Sequence, residues 1–400
     1  MTSPTRIPGR GFLHSPGPTH VPDEVLDAMN HQPVDLVDPR LTAALADVEV
    51  GLKRLSGTTA GELFLYASNG HGAWEAVVEN LLPVGGAVLI PGTGHFSDSW
   101  ALLCERLGRR VVRTPWREGL PIDPADVSDA LRADTERAIQ AVFVVHTDTA
   151  SSVTSDLDAL RRALDDSGHP ALFVVDAVAS MGAAPLAMDA QRIDLLVGAS
   201  QKGLMLPPGI GFLVVGPQAD AMARRNASPR FYWDWARRRG PLAYQKFCGT
   251  PPVPLCFGLK AGLDLLFAEG IDRVHARHRQ LAAAVQAAVQ AWSSAGALDF
   301  FCTVPDARSV SVTTIRTASG VDPDALRSAA RERFQVSVAG GLGPLAGRAF
   351  RIGHLGDLNA PMVLGALAGV EAAMLSLGIP FGRDGVQRAV EVLARSASAA

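Results

Sequence analysis

Residues 193–215 read IDLLVGASQKGLMLPPGIGFLVV. An apolar run ends in Ser-Gln-Lys, a Pro-Pro-Gly break follows, and a second apolar run closes the stretch. Short continuous apolar runs bounded by turn residues are the pattern of buried strands. Lys202 therefore stands at a strand end, between two segments that otherwise read as core.

The same texture extends outward. Apolar runs at residues 63–68, 87–92, 110–115, 141–147, 171–178, 195–200 and 211–216 alternate with helical segments such as GAWEAVVENLL and SDLDALRRALDDSG. Continuous apolar strands alternating with helices predict an α/β fold with a mainly parallel, seven-stranded sheet covered on both faces. Past Thr250 the pattern changes. An Ala-rich helical stretch covers residues 259–292 with a break near Gly270. SVSVTTIRT (strand), DPDALRSAARERF (helix), FRIGHLG (strand end) and two more helices follow. This predicts a large domain over 21–258, preceded by an N-terminal segment over 1–20, and a smaller C-terminal α/β domain over 259–400 with a long connecting helix.

Composition narrows the function classes. The 400 residues hold 37 basic and 40 acidic side chains, a net charge of -3, which gives no footprint for nucleic acid or an anionic membrane. The one basic run, ARRRG at 236–240, reads as a solvated loop face. Cys104, Cys248, Cys256 and Cys302 have no C-x-x-C spacing and make no disulfide framework. The first residues lack the apolar centre of a signal peptide, and no apolar run is long enough to span a bilayer. A soluble, cytoplasmic protein is expected.

Open α/β sheets bind ligands at the carboxyl ends of their strands. Here Asp176 follows LFVV, and Ser200, Gln201 and Lys202 follow LLVGA. His146, Thr147, Asp148 and Thr149 follow AVFVV, Asn69, Gly70 and His71 follow LFLYAS, and Phe96 lies just beyond AVLIPG. Five strand ends supplying such groups point to one shared site. Desolvation lowers the pKa of a buried lysine, and a neutral amine adds to an aldehyde. A buried aspartate can hold a pyridine nitrogen protonated, the usual arrangement around pyridoxal phosphate. Lys202 and Asp176 alone equally describe a structural ion pair. Gly70 and Gly72 open a helix where free N–H groups could take an anion, or simply form a strand–helix turn. His71 is a donor or a turn residue, and Phe96 a stacking ring or core.

With these residues in place, the sequence resembles the class V pyridoxal-phosphate aminotransferases of fold type I, closest to the alanine/serine–glyoxylate and serine–pyruvate branch. The resemblance runs from SPGPTHVP to FRIGHLG and the final helices. VDAVASMG…MDAQRIDLLVGASQKGLMLPPG carries it most specifically. It implies pyridoxal 5'-phosphate as cofactor, Lys202 as the Schiff-base lysine, and Asp176 at the pyridinium nitrogen. Val178 is implied beneath the ring, Phe96 above it, and Thr149 at the ring hydroxyl. Asn69, Gly70, His71 and Gln201 are implied around the phosphate, joined by Thr250 from the other subunit. Arg351 is implied at the substrate carboxylate. A homodimer with shared active sites follows, its 1–20 segments packing on the partner subunit. The substrates implied are a small amino acid, such as alanine or serine, and a small 2-oxo acid such as glyoxylate or pyruvate.

Three departures stand out. Phe247 replaces a tyrosine, Ser152 stands where glycine is common, and Leu36-Val37 replace the aromatic-arginine pair of serine-using relatives. The last argues against serine as the best donor. The DP, H-x-DT and Phe247 features are shared with the pyridoxamine–pyruvate branch, which lacks the phosphate site kept here by Gly70-His71 and Gln201. A lyase or cysteine desulfurase on the same fold is a further alternative, but desulfurases carry histidine before the lysine and a mobile cysteine. A non-enzymatic binding module is the last.

Overall fold

A computed structural model describes residues 9–397 of the chain, and its strands are numbered β1 to β14 along the sequence. The seven apolar runs form one sheet from β2 (Glu62–Ser68), β3 (Ala87–Ile90), β4 (Arg110–Arg113), β5 (Ile139–Val145), β8 (Leu172–Asp176), β9 (Leu195–Ala199) and β10 (Gly209–Val215). Their spatial order is β2-β10-β9-β8-β5-β3-β4. β10 alone runs against its neighbours, antiparallel to both β9 and β2; the other pairings are parallel. The Pro-Pro-Gly break causes the exception, since it returns the chain directly into β10 without a crossover helix.

Both faces of the sheet are covered, which is why the strands lack an alternating polar pattern. Along β5, Val142 and Val144 face a core that includes Leu52 and Leu259 from helices Pro39–Ser56 and Val253–Glu269. Ala141, Phe143 and Val145 face the other core, with Trp74 from helix Gly70–Leu81 and Trp100 from helix His95–Arg106. Helix limits follow local chemistry. Asp156 caps Leu157–Ser167 by accepting from the Ala159 N–H, and Gly168 ends it at φ +64°.

A second sheet orders β1 (Phe12–His14), β13 (Val336–Gly340), β14 (Ala349–Gly353), β12 (Val312–Thr317) and β11 (Leu298–Phe300). Helices Ile271–Trp292, Pro323–Phe334, Ala360–Ser376 and Gly385–Ala397 accompany it. The long helical stretch is two helices, broken at Gly270 with φ +90°. A short ribbon, β6 (Thr147–Asp148) with β7 (Val153–Thr154), lies between β5 and β8 of the large sheet in sequence.

The structure adds one pairing within the chain and differs from one expectation. Residues 12–14 pair with β13 and so belong to the small sheet of their own chain; residues 1–8 lie outside the described residues. The basic run at 236–240 is not a solvated face. Arg238 is buried, with its guanidinium 4.0 Å from the centre of the Tyr66 ring, and donates to the Leu65 carbonyl at 2.8 Å. Arg239 pairs with Glu62 and Asp220. Planar guanidinium groups stack and fork where a charge count shows only a basic patch.

Trp74, Trp100 and Phe143 form a stack, with ring centres 5.1 Å and then 4.6 Å apart. The stack backs the strand ends that carry the site. Replacing Phe143 by alanine should cost about 3–5 kcal/mol of unfolding free energy. Denaturant titration of the variant checks this, and a loss below ~1 kcal/mol would show that the stack collapses without penalty.

Candidate active site

Lys202 sits in the loop between β9 and β10. Ser200 N–H donates to the Ile210 carbonyl at 2.9 Å, and the Leu206 N–H returns to the Ser200 carbonyl at 3.1 Å. The Ser200 hydroxyl closes on the Pro207 carbonyl at 2.8 Å. Within this tight turn a Cβ on Gly203 would lie 2.2 Å from the Met181 carbonyl oxygen, so only glycine lets the two backbones meet. The turn presents Lys202 to a cavity of about 230 Å³ at the carboxyl edge of the sheet.

Eight of the sequence-predicted residues line that cavity: Asn69, Gly70, His71, Phe96, Asp176, Val178, Gln201 and Lys202. Gly17, Pro18, Trp74 and Pro208 complete it. Asp176 is buried at the end of β8. It accepts from the Val178 N–H at 2.7 Å and from the Trp74 indole at 3.2 Å. Burial still pushes its carboxyl up from 3.8 to about 7. Lys202 moves the opposite way. Desolvation, then the charge of Arg351, lower its amine from 10.5 to about 8, against a raising contribution from Asp176. Among the described residues no ion pair joins Lys202 to Asp176. The structural ion pair that the two residue types alone allowed is therefore not formed.

The glycine turn differs from expectation. Asn69 caps helix Gly70–Leu81, and its carboxamide oxygen already accepts from His71 N–H at 3.0 Å and Gly72 N–H at 3.3 Å. Two of the supposedly free donors are thus occupied. Gly72 is needed for packing, since its Cβ would fall 2.8 Å from the Trp233 ring. Gly70 packs on Val178, whose Cγ2 lies 3.3 Å from where a Cβ would stand. His71 is exposed, 4.6 Å from the Trp74 ring centre. On the opposite wall Gln201 holds a buried side-chain oxygen with no hydrogen-bond partner.

Thr149 and Arg351 do not line the cavity but are buried together beside it. Arg351 donates through Nη1 to the Thr149 carbonyl at 2.9 Å and through Nε to the Gly340 carbonyl at 2.6 Å. No hydrogen bond among the described residues uses its Nη2. Burial lowers the guanidinium to about 10, with Asp148 opposing that shift. Thr250 is exposed and away from the cavity of its own chain.

Sequence reasoning assigned no structural role to three residues, although it singled out Asp148 at a strand end and Ser152 as a departure. Trp74 reads as one more core aromatic, yet its indole holds Asp176; its signal is its place one helical turn into the segment that starts at Gly70. Asp148 is fully buried and accepts from the N–H groups of Phe96 (2.9 Å) and Ala150 (2.9 Å), tying the Phe96 turn to the Thr149 loop. Ser152 adopts φ +58°, which explains why glycine is common there. Its hydroxyl accepts from the Thr314 N–H at 3.1 Å, holding the left-handed residue in place.

A lysine of lowered pKa and a buried aspartate on one cavity, at the carboxyl edge of a mainly parallel sheet, define a pyridoxal-phosphate enzyme of fold type I. The family model for aminotransferase class V matches residues 11–344. The chain belongs to that family, and its activity class is transamination. A serine–glyoxylate aminotransferase of Methylorubrum extorquens is 40% identical over 94% of each chain. An L-aspartate–glyoxylate aminotransferase of Paracoccus denitrificans is 39% identical over 91% of each. Among solved structures, ureidoglycine–glyoxylate aminotransferase from Bacillus subtilis superposes with a TM-score of 0.87 at 26% identity, covering 98% of this chain and 99% of that one.

Only the neutral amine attacks an aldehyde. Covalent capture of pyridoxal phosphate by the cofactor-free protein should therefore accelerate with pH to a midpoint near 8, in place of the 10.5 of an ordinary lysine. Arg351→Gln removes a positive neighbour that disfavours the ammonium form, so its midpoint should move up. Stopped-flow capture rates across pH check both, and a midpoint near 10.5 in the unaltered protein would contradict the desolvated amine.

Proposed function

We propose that the chain is a homodimeric aminotransferase that moves the amino group of a small amino acid to a small 2-oxo acid, glyoxylate or pyruvate, with Lys202 as the residue bonded to the cofactor. The observation that carries this reading is the pairing, on one cavity, of a desolvated amine and a buried carboxyl that do not neutralise each other. The residues fit pyridoxal phosphate. The cavity holds one face of apolar contact at Val178 and an aromatic wall at Phe96, and its lining includes Gln201, whose buried side-chain oxygen has no hydrogen-bond partner.

When bound, pyridoxal phosphate supplies an aldehyde that condenses with amines and a ring that takes up the electron pair released at the substrate α-carbon. On this reading Asp176 keeps the ring nitrogen protonated. A cationic nitrogen beside it would favour the carboxylate form that burial alone opposes. Val178 and Phe96 hold the ring's two faces, and Thr149 the ring hydroxyl. Asn69, Gly70, His71 and Gln201 surround the phosphate. Lys202 would act as base toward the α-proton and then as acid on the far side of the transferred nitrogen. Arg351 binds the α-carboxylate. Two carbonyls already hold its Nε and Nη1, which orients the guanidinium plane and leaves Nη2 for a carboxylate oxygen.

Support for the dimer comes from the surface. Thr250 is exposed, and Phe231, Leu242 and Tyr244 in the same stretch of chain expose large apolar side chains. A second copy would cover them and bring Thr250 toward the neighbouring phosphate. Leu36 and Val37 lie in the link before helix Pro39–Ser56, where Val37 is 67% exposed. They too would act on the partner's site. The cysteines are unpaired, which suits a reducing compartment such as the cytoplasm. Three of the four are buried and their thiols are pushed up by desolvation, which disfavours a desulfurase.

The test is a half-reaction screen. Holoenzyme mixed with single amino acids should convert its cofactor from the aldehyde to the amine form, and borohydride should fix the cofactor on Lys202 beforehand. Lys202→Ala should remain folded and lose the conversion. Label found on Lys246 or Lys260 would overturn the assignment. Serine should convert more slowly than the best small donor, given Leu36-Val37; serine as the fastest donor would refute that part.

Arg351→Lys should weaken both the amino donor and the oxo acceptor by about tenfold to a hundredfold, because an ammonium group keeps the charge but not the fork. Donor titration of the half-reaction and acceptor KM check it. No change in either would move the carboxylate anchor elsewhere.

A further inference from the structure

The Lys202 amine has a partner that the cofactor chemistry does not require. Its Nζ donates to the carbonyl of Pro16, and Gly17 packs directly against its tail: a Cβ on Gly17 would lie 2.3 Å from Nζ, 2.5 Å from Cε and 2.7 Å from Cδ. Both residues belong to a strap, residues 15–19, that runs from the small sheet to the lysine loop. At its near end β1 pairs with β13, and the buried His14 ring bonds the Gly353 carbonyl at 2.9 Å. Gly353 lets the strap lie close, since its Cβ would stand 2.5 Å from the Ser15 carbonyl. At the far end the buried Thr19 hydroxyl donates to the Lys202 carbonyl at 3.1 Å. The strap is therefore fixed at both ends, and its middle bears on the tail of Lys202.

We infer that residues 15–19 are a positioning strap whose Pro16 carbonyl and side-chain-free Gly17 aim the Lys202 amine during the part of the cycle when it is not bonded to the cofactor. The inference rests on the reading of Lys202 given above. In that interval the amine is a free proton carrier on a flexible four-carbon stem. It would receive the proton as the substrate C–H bond breaks and return it across the transferred nitrogen to the carbon that had been the cofactor's aldehyde, with the ring taking up the electron pair meanwhile. A carbonyl that accepts one N–H restricts the stem to a few of its rotamers, and alignment within a fraction of an ångström governs such transfers. Gly17 has φ +145°. A methyl group there would press on the far end of the lysine, and at this φ it would also strain the strap's own backbone, which is why Thr19→Val accompanies it in the test.

The strap also links the two units. Its anchor, β1, is an edge strand of the sheet that carries Arg351 on β14. The residue proposed to hold the substrate carboxylate and the carbonyl that aims the amine are thus both anchored to one small sheet.

The test uses Gly17→Ala and Thr19→Val in the full chain. Thr19→Val removes the hydroxyl bond to the Lys202 carbonyl while keeping the shape. Three quantities are read: the rate of pyridoxal-phosphate capture by the cofactor-free protein, the α-deuterium isotope effect on the half-reaction, and donor affinity. Gly17→Ala should slow capture and the half-reaction, the latter by up to about 10²-fold. It should raise the isotope effect and leave donor affinity near that of the unaltered protein. Thr19→Val should shift the same quantities in the same direction by less. Unchanged capture and isotope effect in Gly17→Ala would overturn the proposal, as would a slower half-reaction with an unchanged isotope effect, the mark of general destabilisation. If Gly17→Ala does not fold, Thr19→Val decides on the same criteria. Borohydride labelling of the unaltered protein separates the two readings: cofactor fixed elsewhere than on Lys202 removes the underlying function, whereas cofactor on Lys202 with unresponsive variants removes only the strap.

Discussion

The rest of the structure depends on one constraint: an amine and a carboxyl are taken out of water on the same cavity and kept from pairing. Left to themselves, Lys202 and Asp176 would form an ion pair and both would return to a fixed charge. Here burial raises the acid to about 7 and lowers the amine to about 8. Both therefore lie within reach of neutral pH, where small changes in their neighbours decide which is charged. Perturbation of this kind marks a functional site when it coincides with a cavity and converging elements, and both conditions hold.

The scaffold maintains the constraint by fixing each group separately. Asp176 is held by Trp74 and the Val178 N–H, and Trp74 is in turn braced by Trp100 and Phe143 in the core. Lys202 is held by a turn whose close approach to Met181 requires Gly203, and by the Pro16 carbonyl on the other side. Arg351 contributes at a distance. Its charge helps lower the amine, and its own burial is tolerated because the Thr149 and Gly340 carbonyls accept from it while Asp148 lies nearby. Large sheet, small sheet and N-terminal strap each supply one part.

Much of this was legible in the residues. The seven strands were visible because a sheet covered on both faces needs continuous apolar runs, and the lysine stood out because it interrupts that pattern. The break at Gly270 was visible for a similar reason. What escaped notice was whatever depends on three-dimensional proximity between distant segments. Residues 12–14 are too short a run to show as a strand, and only β13, more than three hundred residues later, makes them one. Trp74 looked like core because nothing local distinguishes an indole that packs from one that also donates. The 236–240 run looked solvated because a charge count cannot show Tyr66 and Tyr232 waiting beneath Arg238. The glycine turn was legible as a helix start, but the Asn69 cap on its donors was not. The resemblance supplied roles that spacing could not, such as those of Thr149 and Thr250.

The central claim is that Asp176, held in this apolar surrounding, makes the cofactor ring an electron sink by keeping its nitrogen protonated. The most direct measurement is the ¹⁵N chemical shift of ring-labelled pyridoxal phosphate bound to the protein and to Asp176→Asn. The account predicts a protonated ring nitrogen in the protein, a shift to the unprotonated position in Asp176→Asn, and the loss of most turnover in the fully loaded variant. The same protonated shift in both, with turnover preserved, would contradict it and make Asp176 a structural residue.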